Sequence, residues 1–289
     1  MKTRKFTSYE TNLLLQNNID PFSIDHSELG EMPIEYFIGK AEFYGEDFLV
    51  NKNVLIPRVE SEKMIDLAYE LVTEFKTKNR VFNFAEIGTG SGAIGISLVK
   101  KLQQSGVVYN AYISDISEKA LSVAKVNAER ILKAKYRNCI TQGVVNPEEN
   151  KKKSTLLGSK AFPKSKLKFI KSDLLENYPK KLKGQLDLII ANLPYIPSER
   201  ILKLSPSVKD YEPLLALDGG TDGLNLIKKL LKQSVFFLSE EGVIILEVDD
   251  THSQKVANEV ANKVAKGVFK IKAEKDLNMR WRYWVVFRR

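Results

Sequence analysis

A short apolar run, Val81–Ile87, passes directly into Gly88-Thr89-Gly90-Ser91-Gly92, and helical spacing of apolar residues begins at Gly92. Glycines at alternate positions let the backbone turn tightly and let a ligand come close to the main chain. A buried strand that turns through such a loop into a helix opens a βα unit of a parallel sheet. About a hundred residues later a second apolar strand, Leu186–Ala191, ends in Asn192-Leu193-Pro194-Tyr195. Open parallel sheets bind ligands beyond the carboxyl ends of their strands, so both loops should face one crevice.

The rest of the chain alternates in the same way. Periodicity predicts helices over 92–103, 117–135, 224–238 and 253–265, with Ser117 as the N-cap of the second. Strands are predicted over 107–113, 167–170, 243–248, 268–273 and 281–287. The last two have no helix between them, which implies an antiparallel edge pair. The expected fold is α/β: a doubly wound, mostly parallel, seven-stranded sheet with antiparallel C-terminal edge strands. Upstream, Tyr9–Asn17 should form a short helix that Asp20-Pro21 ends. Tyr36–Tyr44 and Asp47–Val50 around Gly45 read as a hairpin, Val54–Ile56 as a short strand, and Ser61–Phe75 as an amphipathic helix. The expected organisation is a short N-terminal helical segment (1–35), a hairpin linker (36–56) and a main domain (57–289).

With 289 residues, 43% hydrophobic and 28% charged, the chain can form one α/β domain and a small extension. No run approaches the roughly 20 apolar residues that span a bilayer. No long apolar stretch follows the basic start, which argues against a secretory signal. The single cysteine, Cys139, has no internal partner and fits a reducing, cytoplasmic compartment. A net charge of +9 favours an acidic partner such as RNA, the ribosome or an acidic protein face, unless it is simply lysine-rich background. Residues 151–168 hold seven lysines and no acid and read as a surface loop within a lysine-rich insertion, 133–166.

Two acids flank the glycine loop. Asp115 ends the next strand, where a carboxylate accepts hydrogen bonds from both hydroxyls of a ribose. Glu86, two residues before Gly88, can attract a cationic group such as the amino group or sulfonium of S-adenosylmethionine. Beside a pyrophosphate it would repel. That distinction matters because Gly90-Ser-Gly-Ala-Ile-Gly95 also fits the dinucleotide pattern G-x-G-x-x-G. A merely structural glycine turn is the third reading.

The second loop answers a chemical need. An amide nitrogen is a poor nucleophile because its lone pair is delocalised into the carbonyl. Two acceptors on its hydrogens would aim it and favour the developing positive charge. The side-chain oxygen of Asn192 and the main-chain carbonyl of Leu193 can supply them. Pro194 stiffens the turn, and the ring of Tyr195 can cover a planar amide. An ordinary turn would use the same residue types.

The chain resembles the glutamine N5-methyltransferases of peptide-chain release factors, the HemK/PrmC family, from about Glu31 to its end. Beyond the two loops, Gly39-Lys-Ala-Glu-Phe43-Tyr-Gly45 resembles the family's linker hairpin. Val54-Leu-Ile-Pro-Arg58-Val-Glu60-Ser-Glu62 resembles its Ile-Pro-Arg-Pro-Glu-Thr-Glu segment. Tyr211-Glu-Pro213, followed by Ala216-Leu-Asp-Gly-Gly220-Thr-Asp-Gly223, resembles another typical stretch. The resemblance implies a Rossmann-like S-adenosylmethionine-dependent methyltransferase. Its cofactor would be held by Glu86, Gly88, Thr89, Gly90, Ser91, Gly92, Asp115, Ile116, Asp173, Leu174 and Asn192. Asn192, Leu193, Pro194 and Tyr195 would hold the substrate glutamine of a release factor. No metal is implied, and a monomer is expected.

Three departures stand out. Leu193 replaces the first proline of the family's Asn-Pro-Pro-Tyr, keeping the carbonyl and losing rigidity. The segment before Glu31 is about half the family's usual N-terminal domain, so 1–35 reads as truncated. The insertion 133–166 is longer than usual. Two other functions use the same features: amino-methylation of a base in RNA or DNA, and a catalytically silent module that binds RNA or the ribosome.

Overall fold

The computed structural model describes residues 4–76, 80–132 and 165–289. The lysine-rich stretch 133–164 and Cys139 lie outside them. The strands are β1 Lys40–Phe43, β2 Glu46–Leu49, β3 Phe82–Ile87, β4 Tyr109–Asp115, β5 Lys166–Lys171, β6 Leu186–Ala191, β7 Leu238–Glu247, β8 Phe269–Lys275 and β9 Trp281–Arg288. β3 to β9 form a seven-stranded sheet in the order β5-β4-β3-β6-β7-β9-β8. β5 to β7 are parallel neighbours in that order, and β9 runs antiparallel to both β7 and β8. The chain's last strand therefore lies inside the terminal pair, and β8 is the outer edge.

β6 is buried at all six positions, as a central strand covered on both faces must be. Alternate residues of the central strands feed two cores. Ala85, Ile87, Ile189 and Ala191 join one, while Phe82, Phe84, Leu188 and Ile190 join the other. The helices Glu62–Lys76 and Ala93–Gln104 pack on the second side, and Asn225–Phe237 and Gln254–Val264 on the first. Ser117 caps the helix Glu118–Ile131, accepting from the Ala120 N–H.

The N-terminal part keeps the expected first helix and departs from expectation after it. Ser8–Gln16 is a helix with a Thr7/Glu10 capping box. Residues 36–38 belong to a helix, Ile34–Ile38, rather than to the hairpin. Ile34, Tyr36 and Ile38 alternate as a strand would, but Gly39 at φ +82° closes a single helical turn. The hairpin is β1–β2 alone, joined by Tyr44-Gly45 at φ +52° and +72°, the two left-handed positions of a tight hairpin turn. Val54–Ile56 is not a strand. Its main-chain groups bond locally or to side chains instead: the Val54 N–H donates to the Asn51 carbonyl, the Val54 carbonyl accepts from the Tyr36 hydroxyl at 2.6 Å, and Ile56 bonds the Glu212 carboxyl.

Candidate active site

The sheet order reverses between β3 and β6. In their parallel register Ile87 is opposite Ala191. The next residues, Gly88 and Asn192, therefore leave the sheet side by side. A Cβ placed on Gly88 would lie 3.1 Å from a Leu193 methyl and 3.9 Å from the Asn192 carbonyl oxygen. The two loops wall a cleft of about 370 Å³, within the usual range for a small-molecule site. Gly88, Thr89, Gly90, Ser91, Asp115, Ile116, Asp173, Leu174, Asn192, Leu193 and Pro194 all line it. Gly92, Glu86 and Tyr195 stand behind the wall.

Gly88, Gly90 and Gly92 have φ of +72°, +55° and +86°, so each needs the conformational freedom of glycine. Gly95 is needed for space: a Cβ there would collide with the Glu86 carboxylate and with Ile113. Glu86 is buried, takes the Thr89 hydroxyl and the Gly95 N–H, and is pushed up to about 8 by burial, with the nearby Asp115 charge adding. Asp115 accepts from the N–H groups of Gly90 (2.9 Å) and Ser117 (2.8 Å) and from Ile116. Those contacts fix its carboxylate with acceptor capacity left toward the cleft. Burial raises its pKa against the pull of those N–H groups. Leu174 sits at φ +52°, uncommon for a branched residue, and turns its side chain into the cleft wall. Asp173 forms an ion pair with Lys229 at 2.7 Å.

Behind the second loop lies a network absent from the sequence reading. The Asn192 Nδ2 donates to the Ser61 hydroxyl oxygen (3.0 Å) and to Glu247 Oε2 (3.1 Å). Ser61 donates to Glu247 Oε2 at 2.5 Å, and the Tyr195 hydroxyl donates to Glu247 Oε1 at 2.8 Å. Burial raises the Glu247 pKa, opposed by these donors and by Arg282. The same burial, with Glu247 beside it, holds the Tyr195 phenol well above its ordinary value. No described residue donates to Asn192 Oδ1. Glu247 had a readable signal, an acid at the carboxyl end of an apolar strand, as Asp115 is. Ser61 had none.

Two further contacts tie the site to the molecule. Arg58 Nη2 donates to both oxygens of the buried Glu212, at 2.7 and 2.6 Å, joining segments 154 residues apart. Asn127, fully buried, accepts from the Leu49 N–H (2.8 Å) and donates to the carbonyls of Leu49 (3.0 Å) and Ser91 (2.8 Å). It thereby links the hairpin to the glycine loop. The Asp218–Gly223 segment wraps the second loop, with the Ile196 N–H donating to the Leu217 carbonyl and the Gly219 N–H to the Ile196 carbonyl. Among the described residues, no group of three or more His, Cys, Asp or Glu side chains could hold a metal, and no helix is long and apolar enough to cross a membrane.

A glycine cradle, an acid at the end of the second strand and a buried acid awaiting a cation fit S-adenosylmethionine. With this sheet they define a Rossmann-like S-adenosylmethionine-dependent methyltransferase. The structure superposes on the catalytic domain of hMettl16 in complex with a MAT2A 3′UTR hairpin, at TM-score 0.55 and 14% identity, over 85% of this chain and 76% of that one. That likeness concerns the fold. The release factor glutamine methyltransferase of Clostridium acetobutylicum is 33% identical over 246 residues, 85% of this chain and 72% of the relative. That of Bacillus subtilis is 30% identical over 281 residues, 94% and 84%. A bifunctional methyltransferase of Rickettsia prowazekii is 32% identical over 79% of this chain and 40% of its own length. No family model matches. The chain belongs to the release factor glutamine methyltransferase family.

Proposed function

We propose that the chain methylates the side-chain nitrogen of the glutamine in the Gly-Gly-Gln loop of a peptide-chain release factor. The observation that carries this reading is the one-sided Asn192 amide. Its N–H groups are taken by Ser61 and Glu247, so what it offers the cleft is an oxygen. The Asn192 oxygen and the Leu193 carbonyl accept the two hydrogens of the glutamine amide, aim its nitrogen and favour the positive charge that grows as the bond forms.

S-adenosylmethionine supplies an electrophilic methyl group on a sulfonium. Glu86, Gly88 to Gly92, Asp115, Ile116, Asp173, Leu174 and Asn192 are the residues we assign to holding it: Asp115 by the ribose hydroxyls, Glu86 by the positive charge, the glycines by close main-chain approach. Pro194 stiffens the turn. Tyr195, which does not line the cleft, is tied at its hydroxyl to Glu247 and supports the turn from behind. After attack the nitrogen sheds its proton to water. We further assign segments 1–35 and 36–56 to docking the release factor and 57–289 to catalysis. The enzyme would act in the cytoplasm as a monomer, its basic surface making weak contact with RNA or the ribosome.

The test is mass spectrometry of a release factor and of total RNA after incubation with the protein and S-adenosylmethionine. Methylation of the Gly-Gly-Gln glutamine is expected. Asn192→Ala should slow single-turnover transfer by roughly a hundredfold or more and weaken cofactor affinity far less. Methyl groups on RNA alone would move the substrate to the exocyclic amino group of a base. Absence of cofactor binding would leave a silent binding module.

A further inference from the structure

We propose that Glu247 is a positioning residue for the transfer step: its carboxylate decides which end of the Asn192 amide faces the substrate. This rests on the reading of Asn192 given above. An asparagine amide is nearly symmetric in shape, and its two faces have opposite chemistry. The oxygen accepts from a substrate NH2, whereas an outward NH2 would meet it donor to donor. Nothing in the turn itself chooses between them.

Glu247 makes the choice. It is the last residue of β7, next to β6, and is 1% exposed. An ionised carboxylate is acceptor-only. Oε2 takes the Ser61 hydroxyl at 2.5 Å and Asn192 Nδ2 at 3.1 Å. Because Ser61 spends its proton on Glu247, its own oxygen can only accept, and it does so from Asn192 Nδ2 at 3.0 Å. Both groups behind Asn192 are thus acceptors, and both derive that polarity from one carboxylate. Turning the amide over would set its oxygen against Oε2 and the Ser61 oxygen, both buried. Oε1 takes the Tyr195 hydroxyl at 2.8 Å, so the same carboxylate also sets the ring that follows Pro194. One buried group thereby orders both ends of the Asn-Leu-Pro-Tyr turn.

Glu247→Gln is nearly isosteric and separates orientation from packing. A glutamine amide has a donor as well as an acceptor, so it can meet Asn192 in either orientation. Single-turnover transfer to a release factor should fall about ten- to a hundredfold, with a much smaller change in cofactor affinity. In an Asn192→Ala background the same substitution should cost much less than in the wild type, the remainder being what acts through Tyr195. Ser61→Ala, which removes one acceptor and keeps the carboxylate, should cost less than Glu247→Gln. A substrate-free measurement keeps this apart from the substrate assignment. In protein labelled with 15N-asparagine, the Asn192 side-chain N–H groups, assigned by their loss in Asn192→Ala, should exchange slowly with solvent and become exposed in Glu247→Leu. Slow exchange with an inactive wild type would defeat the release-factor reading and leave the clamp standing. Fast Asn192 exchange in the wild type would overturn the clamp, and so would losses that simply add in the double variant.

Discussion

Glu86 is a carboxylate sealed beneath a loop with no cation among its described partners. Burial pushes it up to about 8, far above its ordinary 4.5. A carboxyl raised on folding is tolerated when protonated and penalised when charged. The ligand-free protein should therefore lose stability as pH rises from about 4.5 toward 8. A cationic ligand reverses the preference, because it favours the charged form. S-adenosylmethionine should then bind with release of close to one proton near pH 7 and gain affinity up to about pH 8. Calorimetry in buffers of different ionisation enthalpy reads that proton directly. Glu86→Gln should bind more weakly, with the proton gone. Proton-neutral binding by the wild type would remove Glu86 from the cation's environment.

At the scale of elements the informative position is Leu193. Its side chain is 3% exposed and belongs to the core cluster that holds Leu174, Leu224 and Ile227. Its N–H makes no hydrogen bond with a described residue, and its φ is not positive. Leu193→Pro therefore keeps the carbonyl proposed to hold the substrate amide and removes no main-chain bond to a described residue. It should retain methyl transfer and raise it modestly by stiffening the turn, while lost side-chain packing lowers stability by about 1–2 kcal/mol. Parallel melting curves and turnover on a release factor check both halves. A collapse of activity in a folded variant would mean that the leucine side chain itself shapes the substrate slot. The same scale shows what the sequence could tell. Long apolar strands with glycine or asparagine at their ends were legible, because burial on two faces leaves a continuous run and the loop chemistry is local. The Ile34–Ile38 turn was not, because five residues alternate as readily as they wind. Val54–Ile56 was not, because its hydrogen bonds go to a local turn and to side chains brought in from elsewhere. Ser61 and Asn127 share that cause: each acts across 36 to 186 residues of chain, and spacing carries no trace of the partner, whereas Glu247 had a local signal at its strand end.

For the whole molecule, the strand order makes the site and two side-chain clamps hold its walls together. The reversal between β3 and β6 sets the glycine loop beside the Asn192–Tyr195 loop. Arg58 and Glu212 then join the segment after the hairpin to the one beyond Asn192, and both motifs of the family resemblance turn out to be halves of one contact. Glu212 has a side chain 1% exposed and Arg58 one 35% exposed. Burial raises the Glu212 pKa, and the Arg58 charge works against that rise. Removing Arg58 leaves a buried carboxylate without its cation and lets its pKa rise further above the unfolded value. Such a group penalises the fold only when ionised, so the deficit of Arg58→Ala should be greatest at alkaline pH and shrink on acidification toward the unfolded pKa of about 4.3. A cost of about 2 kcal/mol at pH 8 is expected, below that of a fully buried pair because Arg58 is partly solvated. Replacing Glu212 with Gln in the same protein removes the stranded charge and should restore most of the loss. Melting temperatures of the wild type, Arg58→Ala and Arg58→Ala/Glu212→Gln at pH 5 and pH 8 decide the matter. If the single variant loses equally at both pH values, or the double variant recovers nothing, Arg58 serves the cleft by its bulk and the charge pair is incidental.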